Sequence, residues 1–189
     1  MGVKSLSQSE VTAVIESAGC LRDQCMVLLA YKHGLRASEV AGLTLADLRL
    51  NDRQIVVRRL KGSLTNVQDL TDQPGEPLLS ERRMLTRWLK ERGDNASLYL
   101  FPSQKGARLS RVQFFRIFQT AARKAGLPDD RCHPHCLKHS LAIRMVEAGQ
   151  TLPAIAQALG HRSVTSTMIY SRPTDAVADK ARHIAFATA

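Results

Sequence analysis

The sequence predicts a mainly α-helical domain with one small antiparallel β-hairpin, which is an α+β fold. Two observations predict it: capping residues and glycine stops recur around segments with apolar residues at helical spacing, and a single pair of segments has the composition of strands. Apolar residues make up 44% of the 189 residues, enough for one ordinary core. No apolar run approaches the roughly 18 residues that a membrane span needs.

The first helices are predicted from their caps and stops. Ser7 and Glu10 have the spacing of a capping box, which opens a helix. A second helix over residues 21–33 is predicted to end at Gly34. The stretch LRASEVAGL that follows predicts a short helix, which the chain enters through Arg36.

The strand pair comes next. The stretch RQIVVRRLKG is rich in β-branched residues and ends at Lys61 and Gly62, so it predicts a strand followed by a turn. The stretch TNVQDLT predicts the return strand, and DQPGEP predicts a loop.

Helices are predicted for the rest of the chain. Ser80 is expected to cap one helix, and Ser110 is expected to cap another whose apolar stripe contains Phe115, Phe118 and Ala122. Further helices are predicted for HCLKHSLAIRMVEAG, LPAIAQALG and VTSTMIY, and the alanine-rich stretch 175–189 predicts a last one.

Charge and cysteine content narrow the classes of partner. Lys and Arg number 27 against 17 Asp and Glu, which gives a net charge of +10. This excess favours a polyanionic partner, above all nucleic acid. Cys20 and Cys25 are expected to be small core residues, and disulfides are not expected in a chain that lacks a secretory h-region at its start. The expected compartment is the cytoplasm.

The stretch HPHCLKHSLA, residues 133–142, concentrates histidine, cysteine and lysine and has two interpretations. One is a zinc site, since thiolates and imidazoles are preferred zinc ligands, but a second, distant ligand pair is missing from the sequence. The other is an anion site, because His135 and Lys138 share a helix face near the helix N-terminus, where the dipole favours anions. The second interpretation is favoured.

Five ordered stretches together resemble the catalytic domain of the tyrosine recombinases, also called phage integrases, over residues 5–172. They are HGLRASEVAGL, RRLKG, LYLFPSQKGARLS with the helix that ends in KAGLP, HPHCLKHSLA, and LGHRSVTSTMIYS. The resemblance implies the tyrosine recombinase catalytic-domain fold. It also implies a site-specific enzyme that cuts and rejoins double-stranded DNA through a 3′-phosphotyrosyl intermediate, without ATP, metal or cofactor.

The resemblance also implies roles. Tyr170 would be the nucleophile, and His135 would accept its proton. Negative charge on the phosphate oxygens would be stabilised by Arg36, Lys138 and His161, as in an oxyanion hole. On the hairpin turn, Lys61 would protonate the leaving oxygen.

Further residues are assigned from their surroundings in the sequence. His139 would support the site or contact DNA, and Arg111 and Arg116 would contact DNA from the helix after Ser110. Tyr31 and Tyr99 are interpreted as core residues rather than nucleophiles. Glu39 is expected either to pair with a nearby cation or to lie on a helix surface.

Lys138 departs from the family pattern, which has an arginine at this position. Lysine keeps the charge but lacks the planar fork that grips two phosphate oxygens. A lost charge-assisted hydrogen bond costs about 1.5–3 kcal/mol, which corresponds to roughly 10–100-fold in rate. The alternatives are therefore a catalytically weakened DNA-binding regulator of the same fold and a type IB topoisomerase-like activity.

The expected domain organisation is a catalytic domain over residues 1–172 and a C-terminal tail over residues 173–189, which is exchanged between protomers. The N-terminal DNA-clamping domain common in the family is expected to be absent, in a naturally short member or a fragment. Self-association, as a tetramer, is expected on DNA, with a monomer possible without it, and no membrane partner is expected.

Overall fold

The computed structural model describes residues 3–59, 65–94, 96–170, 182–183 and 186. In this part of the chain, α-helices and a three-stranded sheet alternate with short 3₁₀ segments. The helices are α1 (Gln8–Ser17), α2 (Leu21–Lys32), α3 (Ala37–Val40), α4 (Glu81–Arg92), α5 (Arg111–Lys124), α6 (His135–Glu147) and α7 (Leu152–Leu159). The strands are β1 (Leu48–Arg49), β2 (Gln54–Val57) and β3 (Asn66–Asp69). The 3₁₀ segments are Leu45–Asp47, Pro77–Leu79, Asp129–Arg131 and Val164–Tyr170.

Two of the three predicted side-chain caps are present. In the capping box of α1, the Glu10 amide donates to Ser7 Oγ at 3.2 Å, while the Ser7 amide donates to the Glu10 carboxylate at 2.9 Å. Ser110 caps α5 in the same way. The expectation for Ser80 was wrong: it occupies the N-cap position of α4, but its hydroxyl lies 3.0 and 3.2 Å from the carbonyls of Gln73 and Glu76 instead of capping the helix.

The apolar stripe of α5 differs from the predicted one. Phe114 and Phe118 are buried with Ala121 and Ala122, which matches a period of 3.6 residues. Phe115 is 38% exposed, so its placement in the stripe was wrong. The error is one residue, which rotates the side chain by about 100° around the helix.

The predicted hairpin is confirmed as β2 and β3, which are antiparallel with Val56 opposite Val67. Strand β1 was not predicted; it pairs with β2 on the other side, so that the order is β1-β2-β3. Ile55 and Val57 of β2 are fully buried, which fixes the sheet face that meets the core. The turn that carries Lys61 lies outside the described residues.

The core is built around α2, in which every residue from Cys25 to Tyr31 is buried. Helices α1, α4 and α6 pack against it. Tyr31 is a core residue as expected, whereas Tyr99 is only half-buried. Cys20 is exposed because it lies at the N-cap of α2, so its placement in the core was wrong. None of the described helices has the length and apolar character needed to cross a membrane.

Arg59, directly after β2, joins four parts of the fold. Its side chain is fully buried, and its guanidinium donates to the carbonyls of His33 and Gly34 after α2, to Ala158 in α7, and to the Glu39 carboxylate in α3. The distances from its nitrogens to these oxygens are 2.7–3.2 Å. These bonds hold the start of the hairpin turn against three helices.

We predict that Arg59→Met lowers the free energy of unfolding by about 3–5 kcal/mol, because it leaves buried carbonyls without their donor and Glu39 without one of its cations. Urea denaturation would measure the change. The exposed Arg49 of β1 offers a matched control, and Arg49→Met should stay within about 0.5 kcal/mol. Equal losses in the two variants would contradict the role of Arg59.

Candidate active site

The first turn of α6 brings together three predicted site residues: His135, Lys138 and His139. The helix begins at His135, so positions three and four residues later lie on the same face. The rings of His135 and His139 meet edge to face with centroids 4.4 Å apart. The prediction of a shared face is confirmed.

Lys138 is almost completely buried, with 2% of its surface exposed. Its ammonium donates to the Leu159 carbonyl at the end of α7, with an Nζ–O distance of 2.8 Å. Burial, together with the nearby charges of Arg59 and Arg36, lowers the pKa of Lys138 to about 7, although Glu39 partly offsets their effect. The lysine is therefore close to its titration point at neutral pH.

Arg36 lies at the N-cap of α3, with 39% of its side chain exposed. Its Nη1 donates to one oxygen of Glu39 at 2.8 Å, and its amide donates to the other oxygen at 2.8 Å. Glu39 is buried, so the alternative in which it pairs with nearby cations is the correct one. This carboxylate fixes the direction of the arginine that faces the site.

His161 follows the left-handed Gly160 (φ 66°) that ends α7. At Gly160 a Cβ atom would lie 2.7 Å from the Arg59 side chain, so the close approach as well as the backbone requires glycine. His161 Nδ1 lies 3.0 Å from the hydroxyl of Thr167. Burial lowers the pKa of His161 to about 4, with further contributions from Lys138 and Arg36, so the ring is neutral at pH 7.

Tyr170 ends the 3₁₀ segment Val164–Tyr170 and is 8% exposed. Its hydroxyl lies 2.7 Å from Nδ1 of His139. Burial raises the pKa of Tyr170 to about 12. The pKa of His139 is lowered to about 4, first by burial and then by the basic side chains around it, which are His135, His133, Lys138 and His161.

The contact between Tyr170 and His139 differs from the sequence-based assignment. His135 was expected to accept the tyrosine proton, but the structure places His139 at the hydroxyl and leaves His135 exposed. The sequence shows that the two histidines share a face, but not which ring reaches Tyr170, 31 positions later.

Two residues of the site were missed by sequence reasoning. Arg59 lies in the stretch RRLKG, and nothing in the sequence distinguishes it from the basic residues beside it. Thr167 lies in a predicted helix, where a threonine gives no signal of a site. Arg111 and Arg116 are exposed on α5, away from any described contact with the site residues. The start of α5 lies beside α3, since Arg108 donates to the Ser38 carbonyl at 2.8 Å.

The two cysteines of the histidine-rich stretch are buried. Cys132 Sγ lies 3.4 Å from the carbonyls of Leu127 and Pro128, and Cys136 Sγ lies 3.3 Å from the ring of His133. Within the described ranges, the His, Cys, Asp and Glu side chains form no group of three arranged around a metal position.

Charge is unbalanced in this site. Arg36, Arg59 and Lys138 are close enough to His161 to lower its pKa, and Glu39 is the one described carboxylate that raises the pKa of Lys138. Three neighbouring cations and neutral imidazoles with one carboxylate leave a positive field. Such a field is suited to an anion with several oxygens, and the nearby tyrosine hydroxyl is suited to attack it.

Comparisons with known proteins agree with this chemistry. The chain matches the family described as "Phage integrase family" over residues 4–176. It is 37% identical to the type 1 fimbriae regulatory protein FimE of Escherichia coli K12 over 168 residues, which cover 87% of this chain and 81% of FimE. It is 36% identical to the tyrosine recombinase XerA of Pyrococcus furiosus, over 90% of this chain and 58% of XerA.

Solved structures share the fold. The crystal structure of XerA recombinase superposes with a TM-score of 0.77 and 27% identity over 93% of this chain and 61% of that one. The XerH recombinase bound to its difH substrate before cleavage superposes with a TM-score of 0.74 and 21% identity, over 90% of this chain and half of XerH. The chain thus spans less than two thirds of these recombinases, and the predicted catalytic-domain fold is confirmed.

We predict that the free energy of unfolding of the natural chain, relative to Lys138→Met, rises with pH between about 7 and 10.5. In this window the unfolded lysine keeps its proton while the folded lysine has lost it, so the unfolded state binds more protons. Below pH 7 both are protonated, and the buried charge reduces stability. Urea titrations at several pH values would measure the difference.

A second variant controls for the lysine itself. Lys124→Met removes an exposed lysine of α5, and its stability relative to the natural chain should not change with pH in this window. A flat difference between the natural chain and Lys138→Met would contradict the shift at Lys138.

Proposed function

The chain belongs to the phage integrase family and is by that membership a tyrosine-type site-specific recombinase; we propose that it cuts double-stranded DNA by attack of Tyr170 on a phosphodiester. The observation that carries the proposal is the Tyr170 hydroxyl, hydrogen-bonded to His139 in a group of cations that one carboxylate does not balance. No other described tyrosine has these surroundings: Tyr31 lies in the core and Tyr99 beside the Thr44 bridge.

The reaction is a transesterification. The Tyr170 oxygen forms a bond to phosphorus, the bond from phosphorus to the 5′-oxygen breaks, and the product is a 3′-phosphotyrosyl link with a free 5′-hydroxyl. Attack by a 5′-hydroxyl reverses the step and rejoins a strand. The energy of the ester bond is kept in the covalent intermediate, so ATP is not consumed.

Proton transfer is assigned to the pair that the structure shows. In the free protein the tyrosine, with a pKa of about 12, does not ionise to the imidazole of His139, with a pKa of about 4. A bound phosphate favours the protonated imidazole, and the phenol becomes more acidic as its oxygen bonds to phosphorus. His139 then accepts the proton, and the exposed His135 faces the phosphate.

Charge on the non-bridging oxygens would be stabilised by Arg36, Lys138 and His161. The ammonium of Lys138 has three donor hydrogens, one of which is used by the Leu159 carbonyl, so donors remain for the phosphate. Lys61 on the hairpin turn remains the proposed acid for the leaving 5′-oxygen.

DNA contacts outside the site are proposed for the exposed Arg111 and Arg116 of α5, and the net charge of +10 would supply salt-dependent affinity. The solved relatives include a λ integrase dimer bound to a core site. We propose that this chain likewise self-associates on DNA, and that it acts in the cytoplasm.

We predict that incubation with nicked DNA carrying the recombination site gives a protein–DNA band that resists SDS, and that Tyr170→Phe abolishes it. The variant lacks the nucleophile but keeps the ring. Tyr99→Phe, which removes a hydroxyl outside the site, should leave the band intact. Salt-sensitive binding without any covalent band would instead support the DNA-binding regulator.

The same trapping assay distinguishes the two histidines of α6. His139→Gln should lower the rate of adduct formation by about 10²–10⁴-fold, the usual contribution of general acid–base catalysis. His135→Gln should lower it less, because its ring does not contact the tyrosine. The reverse ranking would restore the sequence-based assignment of His135.

The tail over residues 173–189 remains a proposal: it would bind a neighbouring protomer of the DNA-bound assembly. All but three of its residues lie outside the described part of the chain. We predict that a chain ending at residue 174 loses recombination while keeping affinity for a single site, as measured by a plasmid recombination assay and a gel shift. Equal losses in both measurements would contradict exchange.

A further inference from the structure

Thr167 is a buried polar residue to which the mechanism above gives no role. It lies in the 3₁₀ segment Val164–Tyr170, three residues before Tyr170, and none of its surface is exposed. Its Oγ1 lies 3.0 Å from Nδ1 of His161. A hydroxyl buried in this way requires an acceptor for its proton.

The direction of this hydrogen bond follows from the available partners. Among the residues that the structure describes, His161 Nδ1 is the hydrogen-bond partner of the threonine hydroxyl. An imidazole nitrogen accepts a hydrogen bond only when it carries no proton. If Nδ1 donated instead, the threonine proton would be buried with no acceptor in the described residues. The hydroxyl therefore donates to Nδ1, and the single proton of the neutral ring is on Nε2.

We propose that Thr167 is a positioning residue that holds His161 in its Nε2–H tautomer and so makes it a hydrogen-bond donor to the phosphate. This inference rests on the proposed function of His161 as a donor to a non-bridging oxygen. In the other tautomer Nε2 would present a lone pair, which repels that oxygen. The hydroxyl of Thr167 thus selects the productive form of a neutral histidine.

The location of Thr167 has a second consequence. The same short helix carries this hydroxyl and the nucleophile, and Tyr170 in turn is bonded to His139. One segment therefore carries both the residue that orients His161 and the nucleophile.

Nitrogen NMR of the full chain labelled with ¹⁵N-histidine tests the tautomer directly, with His161→Gln identifying the signals of His161. In the natural chain, the His161 Nδ1 signal should be that of an unprotonated nitrogen and the Nε2 signal that of a protonated one. Thr167→Val, which replaces the hydroxyl with a methyl group, should change these signals, and Thr167→Ser should restore them. A protonated Nδ1 in the natural chain, or unchanged signals in Thr167→Val, would overturn the proposal.

The activity measurement uses the same variants and one control. Thr167→Val should lower the rate of covalent adduct formation by about 10–100-fold, with no change in DNA affinity. This is the range typical when a hydrogen-bond partner that fixes the tautomer of a metal-binding histidine is removed. Thr167→Ser should stay within a few-fold of the natural chain. Thr165→Val, an exposed threonine of the same segment, should have no effect.

The two measurements separate failure of this inference from failure of the proposed function. If Thr167→Val forms the adduct as fast as the natural chain, the positioning role is wrong while the recombinase assignment stands. If the natural chain forms no adduct with any DNA, the proposed function fails and the positioning role with it, and NMR still decides the tautomer.

Discussion

The buried guanidinium of Arg59 is the interaction on which the arrangement of the site depends. It binds carbonyls at the ends of two helices and the carboxylate that directs Arg36. A backbone carbonyl near a helix C-terminus lacks an intrahelical donor and carries partial negative charge, so a buried cation is well matched to it. Gly160 permits this approach, because any side chain there would occupy the space of Arg59.

The stability of this junction and the chemistry of the site have opposite electrostatic requirements. A buried cation needs compensation, which Arg59 obtains from Glu39 and the carbonyls. The groups around it receive less compensation: burial first, and then the neighbouring basic side chains, lower the pKa values of Lys138, His135, His139 and His161. A further positive charge in this group is therefore unfavourable, and groups held in place in this way are suited to an anion.

Much of the fold could be predicted because its determinants are local. The capping box at Ser7, the Ser110 cap and the β-branched hairpin each act within a few residues. The prediction that Phe115 is buried was wrong for the opposite reason. Phe114 and Phe115 are adjacent, so the sequence does not show which of the two faces the core until the helix packs. Tertiary contacts decide which of two adjacent residues is buried, and these contacts cannot be inferred from a single sequence.

The site was predicted as a set of residues, but not as a set of contacts. The ordered stretches identified Arg36, His135, Lys138, His161 and Tyr170 as catalytic and His139 as a supporting or DNA-contacting residue, and the structure brings these into one cluster, while Lys61 lies outside the described residues. The partner of each depends on long-range packing: Tyr170 meets His139 across 31 positions, and Arg59 meets Ala158 across 99. Only coordinates show which histidine contacts the tyrosine hydroxyl and which residue supports the cations.

Lys138 illustrates how the structure changes a conclusion drawn from residue type. In sequence terms the lysine is a weaker substitute for arginine, because it lacks the planar fork. In the structure it is a buried amine beside Arg59 and Arg36, with a pKa near 7. An arginine would add a third permanent charge to this group, whereas a lysine with a pKa near 7 can be neutral at physiological pH. Lysine at this position therefore limits the repulsion among the buried cations, which a permanently charged arginine would increase.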